Sequence, residues 1–305
     1  MPTKVGFFIG VVNKQRRSMG GLNMESELFL TEKDYVPLPR EYEEFITRLQ
    51  DINDPIRIKM VVETITPSCI RARKFDEMLN ALDALAERPE MHVIVPDLLL
   101  NQGSLCEAKR AFGTAIEYYK KGIAHIDAHG VEGHSCAYWF PNNISFCYDY
   151  EAMFQEAQGF ARKAIAVDHS RHNAWKNFGI SLEHQHKYAY AAICYVISHI
   201  QCVGVDKRPL MHLERMFKRN PGLEGRVADS APQEMGKVIR GFFIHFYLGE
   251  TYYQCGELEK AALSFEEFFN NAPAGYSEYL QYASVRIDEI RQFQKLEKQF
   301  MEKTI

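Results

Sequence analysis

The stretch HIDAHGVEGHSC, residues 125–136, sets His125, Asp127, His129, His134 and Cys136 close together. These are residue types that bind zinc. His125 and His129 are four residues apart, so on a helix both share one face and could meet one metal ion. The segment also reads as a helix ending near Gly130, whose terminal carbonyls favour a nearby histidine, followed by a polar loop. No established zinc spacing fits, and HExxH is absent. A second group, His169, His172, His184 and His186, includes the HQHK run at an expected turn, where surface histidines are ordinary.

Other chemistry is sparse. There is no GxSxG nucleophile elbow, no GxxxxGK[ST] phosphate loop and no GxGxxG dinucleotide fingerprint. Gly20 and Gly21 follow Arg16 and Arg17, too short a signal for a phosphate site. The stretch DKRPLMHLERMFKRN, residues 206–220, carries five basic residues against two acidic ones, with Leu210, Leu213 and Phe217 at helical spacing. It reads as a solvated helix face or a dock for an acidic partner. No cofactor and no catalytic residue are expected.

The elements that would position such groups are helices. The chain has 305 residues, 46% of them hydrophobic and 12% aromatic, enough for a sizeable core. Its formal charge, 36 − 40 = −4, argues against a nucleic-acid binder. Seven scattered cysteines with no CxxC pair suggest reduced thiols and a cytoplasmic location. The apolar run Val5–Val12 is too short to span a membrane. Residues 1–54 have an extended flavour, with a helix expected over 41–49, and are read as an N-terminal arm or cap. From residue 55 apolar positions recur at three and four, as in FDEMLNALDALAERPE and EAQGFARKAIAVD. The fold class expected is all-α, built of antiparallel helix pairs.

The helix pairs repeat. The segment beginning at Phe242 overlies the one beginning at His172, with Gly249 over Gly179, Ala261 over Ala191 and Phe265 over Tyr195. The offset is 242 − 172 = 70 residues, near twice 34. A mid-helix glycine costs about 1 kcal/mol relative to alanine. Gly249 and Ala261 offset that cost if they let the two helix backbones approach closely, with the aromatics filling the gaps alongside. Residues 242–275, with Leu248, Gly249, Tyr252, Gly256, Ala261, Phe265 and Pro273, resemble the 34-residue tetratricopeptide repeat. Residues 172–205 match through Trp175, Gly179, Ala191 and Tyr195, with His186 where the turn glycine belongs and Val203 where the proline does. Fainter copies are expected over 138–171, despite Pro141, and over 89–122, where Pro96 falls at the close-packing position. A last one lies near 59–88, and 206–241 reads as a spacer.

The resemblance implies a right-handed superhelical stack over 55–275 whose first helices line a concave groove for a protein or peptide partner. The family's groove positions fall on Asn173, Lys176, Ile180 and Glu183, and on Phe243, Phe246, Glu250 and Tyr253. Lys176 and Asn177 occupy two positions of a carboxylate clamp that some members use, but the clamp is incomplete. Residues 276–305 read as an amphipathic capping helix through Ala283, Ile287, Ile290, Phe293 and Phe300, a surface that also suits self-association. The function expected is a non-catalytic scaffold or adaptor, with a secretion or assembly chaperone as a variant. A metal-binding sensor or enzyme using the 123–137 loop is a different class of alternative.

Overall fold

The computed structural model describes residues 48–129, 134–202 and 205–304, with Glu44 and Ile46. The Val5–Val12 run, the Gly20-Gly21 pair and most of the expected 41–49 helix lie outside the described residues. Among the described residues every regular element is helical. They are α1 (Pro55–Arg71), α2 (Phe75–Ala86), α3 (Val95–Ala108), α4 (Phe112–His129), α5 (Cys136–Tyr150), α6 (Phe154–Val167) and α7 (His172–His184). There follow α8 (Tyr188–Gln201), α9 (Arg208–Arg219), α10 (Leu223–Gly236), α11 (Phe243–Gln254), α12 (Leu258–Asn271) and α13 (Ser277–Thr304). None is long and apolar enough to cross a membrane. The chain divides into two compact units, Met1–Glu151 and Ala152–Ile305. The division falls at the turn of the hairpin expected over 138–171, so α5 belongs to the first unit and α6 to the second.

Local signals set the helix ends. Asp54 caps α1, its Oδ1 accepting from the backbone N–H of Ile56 at 2.9 Å, and Pro55 sits where a missing N–H costs nothing. Pro96 likewise opens α3. Pro141 lies inside α5, which nevertheless runs unbroken to Tyr150. The hairpin turns share one backbone solution. Arg73, Arg110, His186 and Gly256 all have φ between +53° and +76°. In each, the next residue's N–H reaches back across the turn, as in Lys187 to the Leu182 carbonyl and Glu257 to the Tyr252 carbonyl, both at 2.9 Å. Only Gly256 adopts this conformation without steric cost. The turn is therefore kept in copies that lack the glycine.

In the first unit α3 packs on α1, α2 and α4, and α4 packs on α5. One core there gathers Ile58, Val62, Met78, Leu82, Leu98 and Leu105. In the second unit the packing again runs in chain order: α6 on α7, α7 on α8, α11 on α12 and α12 on α13. The expected spacer is two helices, α9 and α10, both seated on α8, with α10 also on α11. They enter the same core as Trp175, Tyr195, Phe246, Phe265 and Phe268 through Leu213, Met216, Val227 and Met235.

The mid-helix glycines make room for a ring, the aromatic filling expected beside the close approach of Gly249 and Ala261. A Cβ on Gly249 would stand 2.7 Å from Cδ1 of Phe265, and one on Gly179 2.7 Å from Cε1 of Tyr195. Each glycine makes room for the aromatic ring sixteen residues on, while Ala261 and Ala191 are fully buried beside it. Gly103 and Tyr119 repeat the arrangement at 2.1 Å. The third copy therefore occupies 96–129, seven residues later than the expected 89–122. Pro96 is then its first residue, at the helix start, and not a residue at the close-packing point.

Candidate functional site

Two of these hairpins carry one more group. Glu107 lies four residues after Gly103, and Glu183 four after Gly179. The Tyr119 hydroxyl donates to Glu107 Oε1 at 2.7 Å, and the Tyr195 hydroxyl to Glu183 Oε2 at 2.8 Å. The glycine admits the ring and the glutamate receives its hydroxyl, since a buried hydroxyl left unpaired is costly. In the 242–275 copy Phe265 replaces the tyrosine and Tyr253 the glutamate, so the pair disappears together. Burial pushes the Glu107 carboxyl up to about 8, more than its bonds from Tyr119 and the Cys147 thiol lower it, so it is neutral near pH 7. Tyr119→Phe is expected to cost about 1–2 kcal/mol by leaving Glu107 short of a donor. Phe265→Tyr should also destabilise, because its new hydroxyl meets no carboxylate. Chemical unfolding of the two variants checks both signs.

Glu183, expected to face an open groove, is instead tied to the spacer. Arg215 Nη2 donates to its Oε1 at 2.9 Å, and His212 on α9 lies 3.5 Å from Oε2 while stacking on the Tyr195 ring at 4.8 Å. Burial works against its charge, but His212, Tyr195 and Arg215 outweigh it and hold the carboxyl down at about 2. A depressed carboxylate contributes stability that is present above its unfolded pKa and lost as the folded one is reached. Stability should therefore fall as pH drops from about 4.5 towards 2, and Glu183→Gln should flatten that acid limb. Urea midpoints at pH 7 and pH 3 provide the measurement. The spacer is also held at its start, where Asp206 pairs with Arg208 and lies 3.4 Å from His172.

The remaining groove positions divide. Lys176 and Asn177 on α7 are buried, whereas Asn173 and Ile180 are half-buried. On α11 the groove reading needs correction. Phe246 is 1% exposed. Its ring packs on Phe268 at 5.0 Å, on Tyr279 at 5.2 Å and on Tyr282 at 5.6 Å. Phe243 stacks edge-on against Tyr276 and Tyr279. Glu250 is fully buried, its carboxylate taking bonds from the Tyr282 hydroxyl and Gln254 Nε2 at 2.8 Å each, with Arg286 Nε at 3.6 Å. Arg286 also covers the Tyr253 ring at 4.3 Å. The first half of α13 thus fills the space that a partner was expected to occupy. Ala283, Ile287 and Ile290 are buried, but Phe293 and Phe300 are exposed.

The histidine and cysteine loop also rearranges. The His125 and His129 rings stack on each other at 4.1 Å, and His125 Nε2 faces the His92 carbonyl at 3.0 Å. His134 and Cys136 turn away to a residue that the sequence reading passed over. Asp97 is the third residue of α3 and is 2% exposed. His134 Nε2 lies 3.4 Å from its Oδ2, and the Cys136 thiol donates to its Oδ1 at 3.6 Å. Lys59 Nζ on α1 is 2.8 Å from the same Oδ1. Burial raises the Asp97 carboxyl, but the bonds from His134 and Lys59 outweigh this and hold it below the usual range. All seven cysteines are free thiols.

No protein-family model matches the chain, and no curated protein does. Among solved structures it is similar to a tetratricopeptide repeat protein from Parabacteroides merdae, at 14% identity over 83% of this chain and 93% of that one, with a TM-score of 0.37. It is also similar to the APC/C hetero-tetramer Cut9–Hcn1, at 12% identity over 90% of this chain and 59% of that one, with a TM-score of 0.25. The class rests on the hairpins themselves. Their shared left-handed turns and glycine–aromatic locks define an all-α fold of repeated helix hairpins, the architecture that the tetratricopeptide resemblance implied.

Proposed function

We propose that the chain is a non-catalytic, cytoplasmic scaffold that holds a protein or peptide partner. The observation that carries this reading is a hairpin array whose first helix keeps large apolar side chains outward. On α1, Ile56 is 71% exposed and Met60, one turn on, 65%. Repeat proteins use first helices as their binding face, and paired apolar side chains at this spacing suit a peptide with matching anchors. On α7, Asn173 and Ile180 retain partial exposure and belong to the same reading.

The test is affinity capture from the native cell with the wild-type chain and with the double variant Ile56→Asp and Met60→Asp. Both positions are exposed, so the melting temperature should stay within about 2 °C of wild type. A partner recovered by wild type and lost with the variant supports the scaffold reading. Equal recovery by both removes α1 from it.

A further inference from the structure

We propose that Asp97, His134 and Cys136 bind a divalent transition metal ion, zinc by the chemistry of the donors. One ligand atom from each lies within 4.8 Å of the other two. In tetrahedral zinc sites with bonds of about 2.0–2.3 Å, neighbouring ligand atoms are about 3.3–3.8 Å apart. His134 Nε2 stands 3.4 Å from Asp97 Oδ2 and Cys136 Sγ 3.6 Å from Asp97 Oδ1, so each donor is at that length from one oxygen of the carboxylate, and a small rotation of the carboxylate would bring a single oxygen to both. The donors are also deeply placed: Cys136 is fully buried and Asp97 nearly so. Asp97 Oδ2 faces His134 Nε2 at 3.4 Å and Glu63 Oε1 lies 3.9 Å from Lys59 Nζ, both longer than a good hydrogen bond. Buried carboxylate oxygens held only by contacts this long, beside an imidazole and a thiol, are a costly arrangement for a purely structural cluster.

The charges balance in both states. Without metal, the Asp97 carboxylate is neutralised by the Lys59 ammonium. On binding, the Cys136 S–H bond breaks, a sulfur–metal bond forms and the proton leaves to solvent. The 2+ ion is then neutralised by one thiolate and one carboxylate. Lys59 is released to Glu63, whose Oε1 is 3.9 Å from its Nζ. A cysteine binds a metal ion as its thiolate, so proton release is part of binding. His134 contributes Nε2. Its proton then sits on Nδ1, which gives up the 3.2 Å bond from the Cys136 backbone N–H. His125 and His129 take no part.

The full chain titrated with Co2+ should show visible bands of a tetrahedral site and a near-ultraviolet thiolate band, saturating at one ion per chain. Cys136→Ser should abolish the thiolate band. His125→Ala combined with His129→Ala should leave the spectrum unchanged, and Lys59→Met should tighten Zn2+ binding about tenfold by removing the competing cation. Should Cys136→Ser fail to fold, wild type alone decides: Zn2+ added in weak buffer should release one proton per ion. Absence of a thiolate band, its survival in Cys136→Ser, its loss in the His125/His129 variant, or binding without proton release would overturn the site. The outcome is independent of whether a partner is found, because metal and proton are read on the isolated chain.

Discussion

Gly103→Ala is expected to destabilise the first unit by about 3 kcal/mol, near the top of the range for overpacking. The added methyl would stand 2.1 Å from Cε1, 2.4 Å from Cζ and 2.7 Å from Cδ1 of Tyr119. A flexible side chain would swing aside, but this one is pinned. Its ring is fully buried, and its hydroxyl is held by Glu107 and by Asn143 Nδ2 at 3.2 Å. The helices must separate or the hydroxyl must lose its partner. Gly159→Ala is the control. It makes the same chemical change inside α6, where a Cβ meets nothing within 4 Å and the position is exposed. There the helix propensity of alanine should add about 1 kcal/mol. Opposite shifts in thermal midpoint for the two variants would show that the ring, and not the backbone, demands the glycine. A destabilised Gly159→Ala, or a neutral Gly103→Ala, would refute it.

The same pair explains what the sequence discloses and what it hides. Gly179 with Tyr195 and Gly249 with Phe265 are visible as aligned positions, because the small residue and the ring are set by one helix hairpin. Gly103 and Tyr119 have the same spacing of sixteen, but counting back in units of 34 misses them. The cause is the length of α4, 18 residues against 14 in α6, α8 and α12, which pushes the next hairpin out of step. The turns are similarly disguised: Arg110 and His186 hold the left-handed backbone that Gly256 signals openly.

Longer-range features were not legible in this way. The helicity of 206–241 follows from its apolar spacing, but its attachment depends on Arg215 and His212 finding Glu183 some thirty residues back. The triad of Asp97, His134 and Cys136 joins residues 37 and 39 positions apart, from two hairpins, and only the mutual placement of α3 and α5 reveals it. His134 and Cys136 are conspicuous in the sequence, but Asp97 reads as one more acidic residue in a first helical turn.

Phe246→Ala separates the groove that the repeat family implies from the sealed surface that α13 creates. As a groove residue, Phe246 would lower partner binding on truncation with little effect on stability. As a core residue, it should cost about 3–5 kcal/mol, the range for a buried phenylalanine removed from a packed cluster. The structure favours the second outcome. The ring touches Phe265 and Phe268 of its own hairpin and Tyr279 and Tyr282 of the helix that follows. Its loss should also loosen the contact that keeps Glu250 dry, since Tyr282 both packs on Phe246 and donates to Glu250 Oε2. Faster amide exchange in the first half of α13 should accompany the lowered midpoint, because that half is anchored through Phe246 and Glu250. A variant with normal stability and normal exchange would mean that α13 does not seal α11, and would return Phe243, Phe246, Glu250 and Tyr253 to the partner's reach.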